Sequence, residues 1–184
     1  MAGAESILPK LSRLFDTTQP AGLGPGPRKG VSAEQELDRQ LHEIFSSAAF
    51  PQQNQQLIRA LLLLWHDHFE TAHNISQEIS NADGAFVHGI LHRREPDYGN
   101  AAYWFRRVGQ HPAFSVIAER AQNPLQNHQQ LQKQLSPGGK WNPFGFIEAC
   151  EKANTRAAFS EEKDILLQIQ QIETRALLEC FCNS

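Results

Sequence analysis

Apolar residues recur along this chain at the spacing of one helix face, and no segment alternates apolar and polar residues over strand length, so the sequence predicts an all-α fold. From Ser32, SAEQELDRQLHEIF opens with a capping residue and first-turn acids and sets Leu37, Leu41, Ile44 and Phe45 on one face of a helix. A second helix is predicted to begin after Pro51 and run unbroken through LIRALLLLWHDHFETAHNISQEIS to about Asn81–Gly84. At about 100° per residue it carries Leu61, Trp65, Phe69, Ala72, Ile75 and Ile79 on one apolar face, with His66, Glu70, His73 and Gln77 beside it. A shorter helix from about Gly84 to Arg94 puts His88 and His92 one turn apart, opposite Phe86, Val87, Ile90 and Leu91, and ends at Pro96. Asp97 or Asn100 then caps a helix that runs through Tyr103 to Val108 and stops at Gly109, and His111-Pro112 starts another toward Arg120.

The glutamine-rich stretch 122–135 reads as a surface helix or ordered loop anchored by Leu125, Leu131 and Leu135. SPGGKWNPFGF reads as a turn carrying two large aromatics, and FIEACEKA as a short helix. A long last helix is capped by Ser160, with Glu161 and Glu162 against its dipole and a stripe of Ile165, Ile169, Ile172, Ala176 and Cys180. Residues 17–32 are too dense in Pro and Gly for a regular element. The expected organisation is a flexible N-terminal arm and linker over 1–31, then one helical domain over 32–184, built from about six or seven helices in antiparallel hairpins.

At 184 residues the chain suits one ordinary domain. A net charge of −3 argues against a general nucleic-acid binder. The longest apolar run, LIRALLLLW, is interrupted by Arg59 and falls short of the roughly 18–20 residues that span a bilayer, so no membrane association is expected. MAGAESILPKLSRLF lacks the apolar region of a secretory signal, which makes a cytoplasmic setting the expectation. Cys150, Cys180 and Cys182 read as reduced thiols, because a bridge between Cys180 and Cys182 would close a small, strained ring and no paired C-x-x-C spacing suggests zinc.

Two likenesses stand out. DHFETAHNI from Asp67 and DYGNAAYWF from Asp97 share an acid, an adjacent aromatic ring and an alanine five positions on, at Ala72 and Ala102. This offset resembles helix-hairpin repeats of the tetratricopeptide or Sel1-like kind, which implies paired helices in close approach. The motifs WHD at 65–67, AH at 72–73, HGILHRREPDYGNAAYWFRRVGQHP from His88, WNPFGF at 141 and QQIE near 170 also resemble those of a family of small helical proteins, mostly microbial. That resemblance implies no activity, substrate or cofactor, only that these residues are used together.

The segment from Trp65 to Pro112 holds six of the eight histidines and a dense set of arginines, groups that cost free energy when buried without partners. His66, Glu70 and His73 on one helix, with His88 and His92 on the next, could converge into a site for zinc, iron or manganese. The bland alternative satisfies each histidine with a backbone carbonyl or with a carboxylate such as Glu70 or Asp67. Arg93, Arg94, Arg106 and Arg107 close two helices, where they oppose the dipoles and reach Glu95 and Asp97. Alternatively, one of each pair turns inward to clamp a carboxylate or phosphate, with Tyr103 or Trp104 stacking on it and a histidine as general acid or base. Thr71, Ser76 and Tyr103 carry no nucleophile signature. The aromatics Trp65, Phe69, Phe86, Trp104, Phe105, Phe114, Trp141, Phe144 and Phe146 read as core. The expected function is binding of a small anionic ligand or a divalent metal, with catalysis possible in such a pocket; the alternative is a helical-repeat scaffold for a protein partner.

Overall fold

A computed structural model describes residues 7–46, 49–155 and 161–183. The chain is all-α: the described residues form ten helices and no strand. They are α1 (Leu8–Leu14), α2 (Glu34–Ser46), α3 (Gln52–Trp65), α4 (Phe69–Gln77), α5 (Ala82–Arg94), α6 (Tyr98–Val108), α7 (Ala113–Leu125), α8 (Gln129–Leu135), α9 (Pro143–Thr155) and α10 (Glu161–Asn183), with a 3-10 turn at Pro137–Gly139. This exceeds the six or seven helices expected, for three reasons, the first being that the glutamine-rich stretch holds a helix of its own, α8. The amphipathic stretch at the N-terminus is a helix of its own, α1, and the long helix predicted after Pro51 is two helices.

The break falls at Asp67. Its backbone takes the left-handed conformation, φ 67°, while Asp67 N donates to Leu64 O (3.2 Å) and His68 N to Leu63 O (2.9 Å). That pair of bonds is a Schellman stop, with Asp in the place usually held by Gly. Two arginines fix it there: Asp67 Oδ1 accepts from Arg94 Nη2 (2.6 Å), and Oδ2 from Arg28 N (2.8 Å) and Nε (3.0 Å). Burial raises the Asp67 pKa, but the bonds from Arg94 and Arg28 outweigh it, and the carboxyl sits below its ordinary value.

Neighbouring helices pack as pairs, α3 with α4 and α5 with α6, and α4 joins the pairs by packing on α5. Helix α4 starts at Phe69 and α6 at Tyr98, so the two units correspond one position closer than the motif likeness suggested. The small buried residues in register are therefore Ala72 and Ala101, both fully buried, while Ala102 is half-buried. Gly89 sets the α5–α6 spacing: a Cβ there would meet the Phe105 ring at 2.8 Å. The ends of α6 match expectation, with Asp97 accepting from Asn100 N (3.2 Å) and Gly109 ending the helix at φ 62°, whereas α5 starts at Ala82, before the expected Gly84, on a cap by Asn81 that accepts from Gly84 N (2.9 Å).

Helix α10 is the spine, packed against α1, α3, α7 and α9. Its buried side is wider than the predicted stripe: Leu166, Leu177, Leu178 and Phe181 are buried with Ile165, Ile169 and Ala176, whereas Ile172 and Cys180 are half-buried. The predicted cap Ser160 lies outside the described residues. Ser32 stands one residue outside the cap position of α2, whose first acceptor is Ala33 O (from Leu37 N, 3.1 Å), and it serves the strap instead, its N–H donating to His66 Nδ1 (3.0 Å) and its carbonyl facing His68 Nε2 (2.8 Å).

The expected loose arm is, over residues 7–31, a packed layer. Leu11, Phe15, Ala21 and Leu23 are buried, each apolar side chain contributing on the order of 1–3 kcal/mol by leaving water. Pro and Gly do keep 17–32 free of helix, but Arg28 ties that strap to Asp67 and to the Trp65 carbonyl, and Arg94 Nε holds Gly22 O at 2.8 Å. No helix among the described residues is long and apolar enough to cross a membrane.

Candidate metal centre

Helix α4 contributes His73, and α5 contributes His88 and His92. One ring nitrogen from each lies within 4.8 Å of the others. The rings meet edge to face, with centroids 4.6 Å apart for His73–His88 and 5.6 Å for His73–His92, while His88 and His92 stack at 4.9 Å. Helical spacing explains the His88–His92 pair, since residues four apart share a face. The third ring arrives because the stop at Asp67 turns the chain back and lays α4 on α5.

His88 is 3 % exposed, and its Nδ1 has no hydrogen-bond partner among the described residues. Burial, then the nearby His92 and His73, push its pKa down to about 4. Burial also lowers that of His92, against the opposing pull of Glu95 and Asp97. These two imidazoles are therefore neutral at pH 7, the state in which a ring nitrogen can bind a metal.

Neighbours orient the rings. Glu95 Oε2 lies 3.3 Å from His92 Nδ1, and Asn100 Nδ2 lies 3.2 Å from Nε2, a contact that a metal bound at Nε2 would displace. Trp104, one helical turn beyond Asn100 on α6, stacks on His88 with centroids 3.9 Å apart. Zinc–nitrogen bonds of about 2.0–2.1 Å set tetrahedral nitrogens roughly 3.3 Å apart. The triad must draw in by about 1.5 Å at its widest to close on an ion.

The other predicted ligands lie elsewhere. His66 is on the far side of the α3 stop, where Nε2 pairs with Leu14 O (2.8 Å) and Nδ1 accepts from Ser32 N, so it clasps the strap and α1. Glu70 is exposed in the first turn of α4. Both corrections have one cause: an unbroken helix would have lined up His66, Glu70 and His73, and the chain breaks between the first two.

The arginines do not form a common pocket. Arg93 is fully buried and makes a two-pronged pair with Glu173, Nη1 to Oε1 at 3.0 Å and Nη2 to Oε2 at 2.5 Å, with its guanidinium 4.3 Å over the Phe146 ring. Arg94 is 1 % exposed and consumed by Asp67, Gly22 O and Leu64 O; burial lowers its pKa to about 10, so it stays cationic at pH 7. Glu95 and Asp97, their expected partners, sit beside His92 instead. Arg106, Arg107 and Tyr103 are exposed, with Arg107 lying over Trp104 (5.4 Å) and Tyr103 (5.9 Å).

Trp104, read as core, is half-buried and forms a wall of the triad, and Asn100 and Glu95 were missed as its neighbours. The i, i+4 spacing of Asn100 and Trp104, matching His92 and His88 on the paired helix, is the signal that could have found them. Cys150 is a buried thiol whose pKa burial raises to about 12, which suits an inert core position. No protein-family model matches the chain, and no curated protein or solved structure matches it. The site's chemistry rests on its own geometry.

Proposed function

We propose that this helical domain binds one divalent transition metal through His73, His88 and His92. The observation that carries the reading is the convergence of one ring nitrogen from each of three histidines, in a cluster where the buried His88 Nδ1 has no partner among the described residues. Imidazole donors favour zinc, copper, iron or nickel over magnesium and calcium, and zinc suits three neutral nitrogens with no thiolate. Three protein ligands leave a fourth position for water or substrate, the arrangement of catalytic rather than structural zinc. Half-exposed His73 is the side from which a small molecule would enter. Arg107, held against Trp104, is the charge that would draw an anion toward it.

The test is metal content by mass spectrometry on untagged protein purified without chelator, followed by zinc titration. The expected result is about one equivalent of metal, lost in His73→Ala, a half-exposed position whose truncation leaves the fold intact. Folded wild-type protein that is metal-free and takes up no zinc at micromolar concentration overturns the reading. Unchanged metal in His73→Ala would move the site elsewhere.

A further inference from the structure

Two passages singled out in the sequence, GQHP and WNPFGF, are left unused by the histidine triad, yet they line one groove. It has a volume of about 650 Å³ and lies between the α6–α7 junction and the turn that leads into α9. Small-molecule sites occupy roughly 300–1,000 Å³ and are mostly apolar with a few placed polar groups. This groove fits that description. Phe105, Phe114, Trp141 and Phe144 give it aromatic walls, and Phe144, at 40 % exposed, is one of two large apolar side chains among the described residues that face water.

Its lining includes the neutral polar side chains of Gln110, Ser115 and Asn142 beside Lys140. No Asp or Glu lines it, and Lys140, at its rim, makes no ion pair among the described residues. His111 is already committed, with Nε2 2.9 Å from Asp83 Oδ1 and Nδ1 accepting from Ala113 N. Trp141 is 7 % exposed, and its indole N–H is a donor with no acceptor among the described residues. The walls are held in place: Asn142 N donates to Leu135 O (2.8 Å), Asn142 Nδ2 to Gln134 O (3.0 Å), and Phe146 packs edge-on against Trp141.

We infer that this groove binds a flat apolar carboxylate, an aromatic carboxylic acid, with the ring system among Phe114, Trp141 and Phe144 and the carboxylate on Lys140. A phosphate would call for several converging cations or a fan of backbone amides, and the groove offers one ammonium. A single negative charge on a large apolar body matches what lines it. The groove shares no residue with the proposed metal centre, and neither reading depends on the other.

The probe is 2-naphthoate, compared with its uncharged counterpart 2-naphthamide, titrated into the full chain by calorimetry and by amide NMR. The expected result is one saturable naphthoate site whose shifts gather at 109–115 and 139–146. Lys140→Met should weaken naphthoate roughly tenfold and leave naphthamide unchanged. Phe144→Ala should weaken both by a similar factor; both positions are exposed, so the variants fold. Equal affinity for acid and amide, shifts spread over other surfaces, or no naphthoate binding at millimolar concentration would overturn the inference. Saturable binding of a hydrophobic peptide with no response to naphthoate would also overturn it, marking the groove as a protein-docking surface.

Discussion

Arg93 and His88 stand five residues apart on the same buried helix, and the polar groups around them are arranged in opposite ways. The arginine network is matched charge for charge: Arg93 with the Glu173 carboxylate, Arg94 with Asp67 and two carbonyls, Arg93 Nε alone among their donors lacking a partner. The histidines face one another, and His88 Nδ1 is left without a partner. A buried charge that meets an opposite charge holds helices together, and taking its partner away is costly. A buried cluster whose members share a kind of atom, and cannot satisfy each other by charge, has the arrangement that the proposed metal would complete. Density of polar residues in the sequence marks both regions. Only the partners tell them apart.

The largest effect should come from breaking the matched side. Glu173→Leu alone strands the Arg93 cation and should destabilise the fold by about 3–5 kcal/mol in urea denaturation. The double variant Arg93→Met, Glu173→Leu should recover most of that loss. A single variant with near wild-type stability would show that the network is not the structural half of the comparison.

The triad should respond to metal on a similar scale. Zinc at about a thousand times its Kd should add roughly 4 kcal/mol to the unfolding free energy of wild type. The same zinc should add nothing in His73→Ala. Equal stabilisation of both proteins would put the binding elsewhere.

Acid gives the next effect. Folded His88 titrates at about 4, and an unfolded histidine near 6.5. Between those values unfolding takes up a proton, so stability present above about pH 6.5 is lost as the pH falls toward 4, by about 3 kcal/mol for His88. His92, also lowered, adds in the same direction. Equilibrium unfolding across this range should show the slope in metal-free protein, and His88→Phe should flatten it. A slope unchanged by His88→Phe would mean the ring is not buried neutral.

The sharpest contrast with the buried arginines is the smallest effect. Arg120 pairs with Glu179 at 2.8 Å on the surface, and Arg120→Ala should change stability by no more than about 0.5 kcal/mol.

What the sequence made legible follows from how local each signal is. Asp97, Gly109 and the His88–His92 spacing act within a turn of themselves, and the α5–α6 unit forms where its pattern predicts. The stop at Asp67 has no local signal, since Gly usually fills that position and the aspartate is held by Arg28 and Arg94, 39 and 27 residues away. Missing it carried His66 and Glu70 into the candidate site with His73. The arginines were misassigned for the same reason, because Glu95 is adjacent in sequence whereas Glu173 is 80 residues distant. In the arm, Pro and Gly outweighed four apolar anchors whose pockets only the folded body supplies.

Long-range imidazole NMR on uniformly nitrogen-15-labelled protein, before and after one equivalent of zinc, tests the central claim most directly. The account predicts that the ring nitrogens of His73, His88 and His92 move to metal-bound shifts together, while His66, clasped to Leu14 and Ser32, keeps its shift. Zinc-induced changes confined to other histidines, or no change in any ring with the protein folded, would contradict it.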